Sequence, residues 1–146
     1  MPDPRRLAEH EELLTSIHDD LAAVTALIAA VRPLIGQLPL GAHFHNTRGS
    51  GLASAYAAVL AGVTRLDASV GGLGGCPFAA HAGAAGNICT EDFVLMCEEM
   101  GIETGVDLEA LAECARLAER IVGHPLPGKV KTGGGLNAMR RTLSAS

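Results

Sequence analysis

Two histidines, His43 and His45, are followed by the run Gly71-Gly72-Leu73-Gly74-Gly75-Cys76-Pro77 and then by Gly86-Asn87. The set supplies two imidazoles, one thiol and one amide oxygen, each beside flexible glycine backbone. Such groups can hold a divalent metal and a reactive cysteine over one substrate. His43 and His45 lie two apart on an expected strand, so their side chains share one face, about 6.6 Å apart along the chain. Two imidazoles at a strand end can both ligate one metal; two satisfied polar or core histidines give the same pattern. Cys76 sits between glycines and Pro77, which suits a mobile loop better than a packing position. Asn87 reads equally as an amide ligand or as a turn residue. Glu91 reads as a supporting acid or base, or as a carboxylate in the first turn of a helix. His81 shares the loop of Cys76 and reads as a solvated histidine, and His10, His18 and His124 show no partner pattern.

The elements that must position these groups alternate between helix and strand. A helix is expected from about Arg5 to Ile35, with Leu21, Val24, Leu27, Ile28 and Val31 at helical spacing. Leu38 to His45 reads as a strand that turns Leu40, Ala42 and Phe44 one way and Gly41, His43 and His45 the other. A small-residue helix follows over Gly49 to Ala61, with Leu52, Tyr56, Val59 and Leu60 on one side. Val63 to Val70 reads as a second strand, Gly71 to Gly86 as a loop, and Thr90 as the N-cap of a helix through Met100. Asp107 caps a last helix carrying Leu108, Leu111, Cys114, Ala118 and Ile121, and the Pro/Gly/Ser-rich tail from Gly123 is expected to fray. Strands that alternate with helices imply a parallel sheet in an α/β fold.

Composition excludes several roles. The 146 residues suit one domain, and with 48% hydrophobic against 18% charged residues the chain has ample material for a core. Aromatics amount to 3%, with no Trp, and the formal charge is −5, so neither a stacking platform nor a phosphate-backbone binder is expected. No apolar run approaches the roughly 20 residues of a membrane span. The four cysteines, Cys76, Cys89, Cys97 and Cys114, show no CxxC spacing, which suits free thiols in a reducing, cytoplasmic setting. Cys97 and Cys114 fall in apolar helical patterns and are expected in the core.

Taken together, three segments resemble the hydroxymethylglutaryl-CoA lyase family, within the metal-dependent lyases and condensing enzymes built on the TIM barrel. They are Gly41-Ala42-His43-Phe44-His45-Asn46-Thr47-Arg48-Gly49, the glycine run from Asp67 to Ala79, and Gly86-Asn87-Ile88-Cys89-Thr90-Glu91-Asp92. The likeness covers roughly Ala22 to Lys131. Related condensing synthases share the His-x-His but typically carry Gly-Glu-Arg where this chain has Gly75-Cys76-Pro77, which favours the lyases. The resemblance implies that His43, His45 and Asn87 bind Mg²⁺ or Mn²⁺, that Cys76 acts near the reacting carbons, and that Glu91 supports the site. The implied reaction is retro-aldol cleavage of 3-hydroxy-3-methylglutaryl-CoA, or a similar 3-hydroxyacyl-CoA thioester, to acetyl-CoA and acetoacetate, a step of leucine degradation.

A TIM barrel typically takes about 250 residues. The expectation is therefore a C-terminal partial barrel at 22–131, with a divergent N-terminal helix at 1–21 and a flexible tail at 132–146. The family's first-strand aspartate ligand and adjacent arginine have no Arg-Asp counterpart in the sequence, and Ala80-His81-Ala82 resembles a short insertion. Raw sheet edges would call for a second copy or a complementary half-barrel chain. Two readings stay open: a lyase, or the metal- and thiol-bearing half of one, and a catalytically inactive truncated paralogue that acts only as an associating fragment.

Overall fold

The computed structural model describes residues 21–75 and 86–136. Cys76 and His81 lie outside them, as do most of the divergent N-terminal helix and the chain beyond Leu136. The order is α1 (Leu21–Ile35), β1 (Gly41–His43), α2 (Gly51–Leu60), β2 (Arg65–Asp67), a 3-10 turn (Val70–Gly72), α3 (Thr90–Glu99), α4 (Leu108–Val122) and α5 (Val130–Gly133). The chain gathers into two compact units, residues 1–44 with 53–67, and residues 45–52 with 68–146.

In the first unit β1 and β2 pair in parallel, with Gly41 opposite Arg65, Ala42 opposite Leu66 and His43 opposite Asp67. Alternation along each strand turns Ala42 and Leu66 inward and leaves His43, Arg65 and Asp67 exposed. Val24, Ile28, Ala58 and Val63 form the core, with Leu40, Ala42, Phe44 and Leu66 packed on it. The expected strand faces are therefore found, but the ladders are shorter than expected. His45 and Ser69 leave the sheet for isolated bridges, to Asn87 and Cys89 respectively. A parallel ladder holds only where both strands stay in step, and each departs after three residues.

α2 packs through its small residues rather than through the side that carries Tyr56 and Leu60. Ser54, Ala55 and Ala58 are buried, while Tyr56 and Leu60 are exposed. Alanines let the helix backbone lie close to its neighbours, which outweighs burying the larger side chains.

In the second unit Val94, Leu108, Ala112 and Val130 make the core. Cys89, not Thr90, is the N-cap of α3; residue 89 stays extended at φ −78°, ψ 127° because it is still bridged to Ser69. Asp107 caps α4 as expected, accepting from the N–H groups of Glu109 and Ala110 at 2.9 and 3.1 Å. Gly123 ends α4 in the left-handed conformation, φ 76°. Cys97 is buried as expected, but Cys114 and Ile121 are exposed, because α4 presents Leu108, Ala112 and Ala115 to the core instead.

The segment after Gly123 does not fray at its start. Leu126, Gly128 and Val130 are buried. Asp92 of α3 accepts from Lys129 N at 2.8 Å and Val130 N at 2.9 Å, and Glu119 accepts from Leu126 N at 2.8 Å and pairs with Lys131 at 2.5 Å. Arg116 donates to the Lys131 carbonyl. Carboxylates that accept backbone N–H groups make strong, charge-assisted bonds. Replacing Asp92 with Ala is expected to lower stability by about 1–3 kcal/mol, read by urea unfolding, and to speed proteolysis after Gly123.

Candidate functional site

Among the sequence-selected groups, His45 and Asn87 are paired by an antiparallel bridge in the second unit, with the Asn46 N–H donating to the Gly86 carbonyl at 2.7 Å. Asn46 also accepts from the Gly51 N–H at 3.1 Å, which anchors the start of α2 beneath His45. A Cβ at Gly51 would lie 2.6 Å from Ile88, so only glycine permits that approach. His43 belongs to the first unit, where it ends β1 on the exposed face beside its register partner Asp67.

The Asn87 side chain is held by its own nitrogen. Nδ2 donates to the Leu73 carbonyl at 2.8 Å, which fixes the amide plane and points Oδ1 away from Leu73. Gly74 makes this possible: at φ 96° it adopts a backbone that L side chains rarely reach, and a Cβ there would come within 2.9 Å of Nδ2. The glycine run therefore does more than turn the chain. It carries the carbonyl that orients the asparagine.

Glu91 is fully buried at the start of α3, with its Oε2 accepting from the Gly71 N–H at 2.9 Å. It is thus no solvated first-turn carboxylate. Its Oε1 is also buried and has no hydrogen-bond partner among the described residues. Oε1 lies over Gly128, where a Cβ would collide with it. Leu126 and Pro127 similarly fill the space that side chains would need at Gly71 and Gly72, with closest approaches of 2.6 and 2.9 Å. The root of the glycine loop is therefore clasped between α3 and residues 126–128. Sequence reading missed this role of Leu126-Pro127-Gly128; an -L-P-G- triplet in a Pro/Gly-rich tail looks like turn punctuation.

Cys89 lies 3% exposed beside this root. Burial pushes its thiol up to about 12, and the nearby Asp92 and Glu91 carboxylates add to the effect. It is a packing thiol, not a nucleophile.

The fit of a divalent cation rests on the donors. The oriented Asn87 Oδ1 is the hard oxygen such ions prefer, and imidazole nitrogen is an accepted second type. An amide held from behind by a backbone carbonyl is the arrangement that aims a ligand. These residues fit, as part of a ligand set. Among the described residues no group of three or more His, Cys, Asp or Glu side chains gathers in one place. No helix among them is long and apolar enough to cross a membrane.

Residues 15–118 match the HMGL-like family model, and the chain belongs to this family, that of the hydroxymethylglutaryl-CoA lyases. It is 37% identical over 139 residues to the (R)-citramalyl-CoA lyase of Chloroflexus aurantiacus, covering 89% of this chain and 43% of that protein. It is 43% identical over 108 residues to hydroxymethylglutaryl-CoA lyase YngG of Bacillus subtilis, covering 74% of this chain and 36% of that protein. Among solved structures it resembles an HMG-CoA lyase from Acinetobacter baumannii in complex with coenzyme A and 3-methylmalate. That likeness has a TM-score of 0.72 at 47% identity and covers 80% of this chain and 37% of the other. The chain thus spans less than half the length of the relatives it matches.

The raised thiol sets a pH dependence. A group whose pKa is higher folded than unfolded adds stability that is fully present below the unfolded value, near 9.0 for Cys89, and lost as pH rises toward about 12. Unfolding free energy is expected to fall above about pH 9. In Cys89→Ala that alkaline loss should flatten, measured by urea titration at stepped pH.

Proposed function

We propose that this chain is the C-terminal part of a TIM-barrel lyase and carries the metal- and thiol-bearing share of its active site. The reaction is retro-aldol cleavage of 3-hydroxy-3-methylglutaryl-CoA, or a similar 3-hydroxyacyl-CoA, to acetyl-CoA and acetoacetate. The observation that carries the reading is the Asn87 amide, oriented by Leu73 over Gly74 and bridged to His45. Family membership supports it, as do relatives that are lyases of CoA thioesters by name.

In this reading His43, His45 and Asn87 hold Mg²⁺ or Mn²⁺. When bound, the cation withdraws charge from the substrate's C3 hydroxyl, lowers its pKa and orients it for proton removal. Asn87 and the histidines set where that hydroxyl sits. Loss of the hydroxyl proton lets the oxygen lone pair form the ketone of acetoacetate. The C2–C3 bond breaks, and its electron pair passes into the thioester as an enolate. Protonation of that enolate at carbon gives acetyl-CoA. Cys76 supplies a thiol to the reacting carbons. Glu91 is a positioning residue: through the Gly71 N–H it fixes the root from which the Cys76 loop departs.

The partners are the acyl-CoA thioester and either a second copy or a complementary half-barrel chain. A second reading is an inactive paralogue that acts as an associating fragment. The donor set favours it, since two imidazoles and an amide give a hard cation no carboxylate.

Calorimetric titration with Mn²⁺ and an acetoacetate-release assay, on the chain alone and mixed with the N-terminal half of a lyase barrel, separate the two. The proposal expects Mn²⁺-dependent release that is lost in Cys76→Ala and His43→Ala, with Mn²⁺ affinity at least tenfold weaker in Asn87→Ala, about 1.4 kcal/mol. No release at any Mn²⁺ concentration, alone or mixed, leaves the inactive paralogue as the answer.

A further inference from the structure

We infer that Glu119 and Lys131 are positioning residues for Asn87: their ion pair seats Leu126 on the glycine-loop root, and the root aims the asparagine amide. The two ends of the segment after α4 are secured differently. Asp92 accepts from the N–H groups of Lys129 and Val130. Leu126, at the other end, donates its N–H to Glu119 Oε2 at 2.8 Å. That same oxygen pairs with the Lys131 ammonium at 2.5 Å. Glu119 therefore fastens residue 126 and residue 131 to one point on α4. Lys131 is also held through its backbone, since Arg116, one turn back on α4, donates to its carbonyl. Arg116 is aligned in turn by Glu113 at 2.6 Å.

This pair differs from an ordinary surface contact, which contributes little. The Lys131 side chain is 9% exposed and that of Glu119 is 32% exposed. An ammonium so far withdrawn from water needs its counter-charge. The Leu126 N–H, and after it Lys131, hold the Glu119 carboxyl below the usual carboxylate range. Without Lys131, the half-exposed carboxylate would lose the partner that keeps it under Leu126.

The next links are steric. Leu126 Cδ1 lies 2.6 Å from where a Cβ at Gly71 would stand, and Pro127 Cγ lies 2.9 Å from the equivalent point at Gly72. Both side chains thus bear on the backbone of the 3-10 turn Val70–Gly72. That turn closes at Leu73, whose N–H donates to the Val70 carbonyl at 3.2 Å. The Leu73 carbonyl then takes Asn87 Nδ2 at 2.8 Å. Every link lies inside the second unit, and each is a hydrogen bond or a close contact. Coupling between distant groups needs such a continuous chain. The consequence for cation binding rests on the reading of Asn87 as a ligand; the orientation of its amide does not.

Nuclear magnetic resonance on the full chain tests this without metal, through hydrogen exchange at the Gly71 N–H and the Asn87 carboxamide. Urea titration supplies the global stability against which each rate is read. Lys131→Met is expected to speed both exchanges about tenfold relative to global unfolding. Lys131→Arg, which keeps the pair, should restore wild-type rates. Glu119→Gln can still accept from Leu126 and should fall between wild type and Glu119→Ala. Asp107→Ala is the control: it destabilises α4 at its cap and should leave both relative rates unchanged. Mn²⁺ affinity, titrated by calorimetry, should fall in the same order across the series. Relative rates in Lys131→Met within about twofold of wild type, or equalled by Asp107→Ala, overturn the inference. So does Mn²⁺ binding whose affinity stays flat across the series. A wild type that binds no Mn²⁺ sinks the cation reading of Asn87, and the exchange series then decides this inference alone.

Discussion

The second unit depends on a carboxylate that no water reaches. Burying Glu91 carries a large desolvation penalty unless its oxygens find donors. One finds the Gly71 N–H at 2.9 Å, and the other lies over Gly128 without a partner among the described residues. That geometry exists only because positions 71, 72 and 128 lack side chains. Leu126 and Pro127 occupy the vacated space, so α3, the loop root and the segment after α4 are locked around one group. A buried polar side chain in this setting constrains its surroundings, because losing the Gly71 N–H would leave both of its oxygens without a donor among the described residues.

The same logic extends toward Asn87. The loop root that Glu91 holds leads directly into Leu73 and Gly74, and Leu73 is the residue whose carbonyl orients the Asn87 amide. Glu91 and Asn87 never share a hydrogen bond in the described contacts, yet both act on one stretch of backbone three residues long. Position errors at Gly71 would therefore be passed to the amide through a short, hydrogen-bonded path. A residue that makes no hydrogen bond to Asn87 thus still bears on where its amide oxygen sits.

Much of this was legible in the sequence, for separable reasons. Helix α1, the Asp107 cap and the inward face of both strands follow from periodicity and one side-chain oxygen, both local properties. The family was legible because Gly-Leu-Gly-Gly-Cys-Pro is a specific string, beside which an otherwise weak His-x-His gains weight. What escaped was orientation and enclosure. In α2 and α4 the buried positions include Ala55, Ala58, Ala112 and Ala115, while Tyr56, Leu60, Leu117 and Ile121 are exposed. Hydrophobicity alone points to Tyr56, Leu60, Cys114 and Ile121, whereas the distance of closest approach between backbones favours Ala55, Ala58, Ala112 and Ala115. The Leu126-Pro127-Gly128 clasp escaped for a related reason. Its importance lies in what it excludes at Gly71 and Gly72, and the absence of a side chain reads as a turn until its neighbour is known.

The exposed Cys114 shows why that difference in packing has consequences beyond bookkeeping of burial. α4 packs through Leu108, Ala112 and Ala115, and Leu117 and Ile121 are left on its exposed side. Close packing inside the unit thus creates the apolar surface outside it.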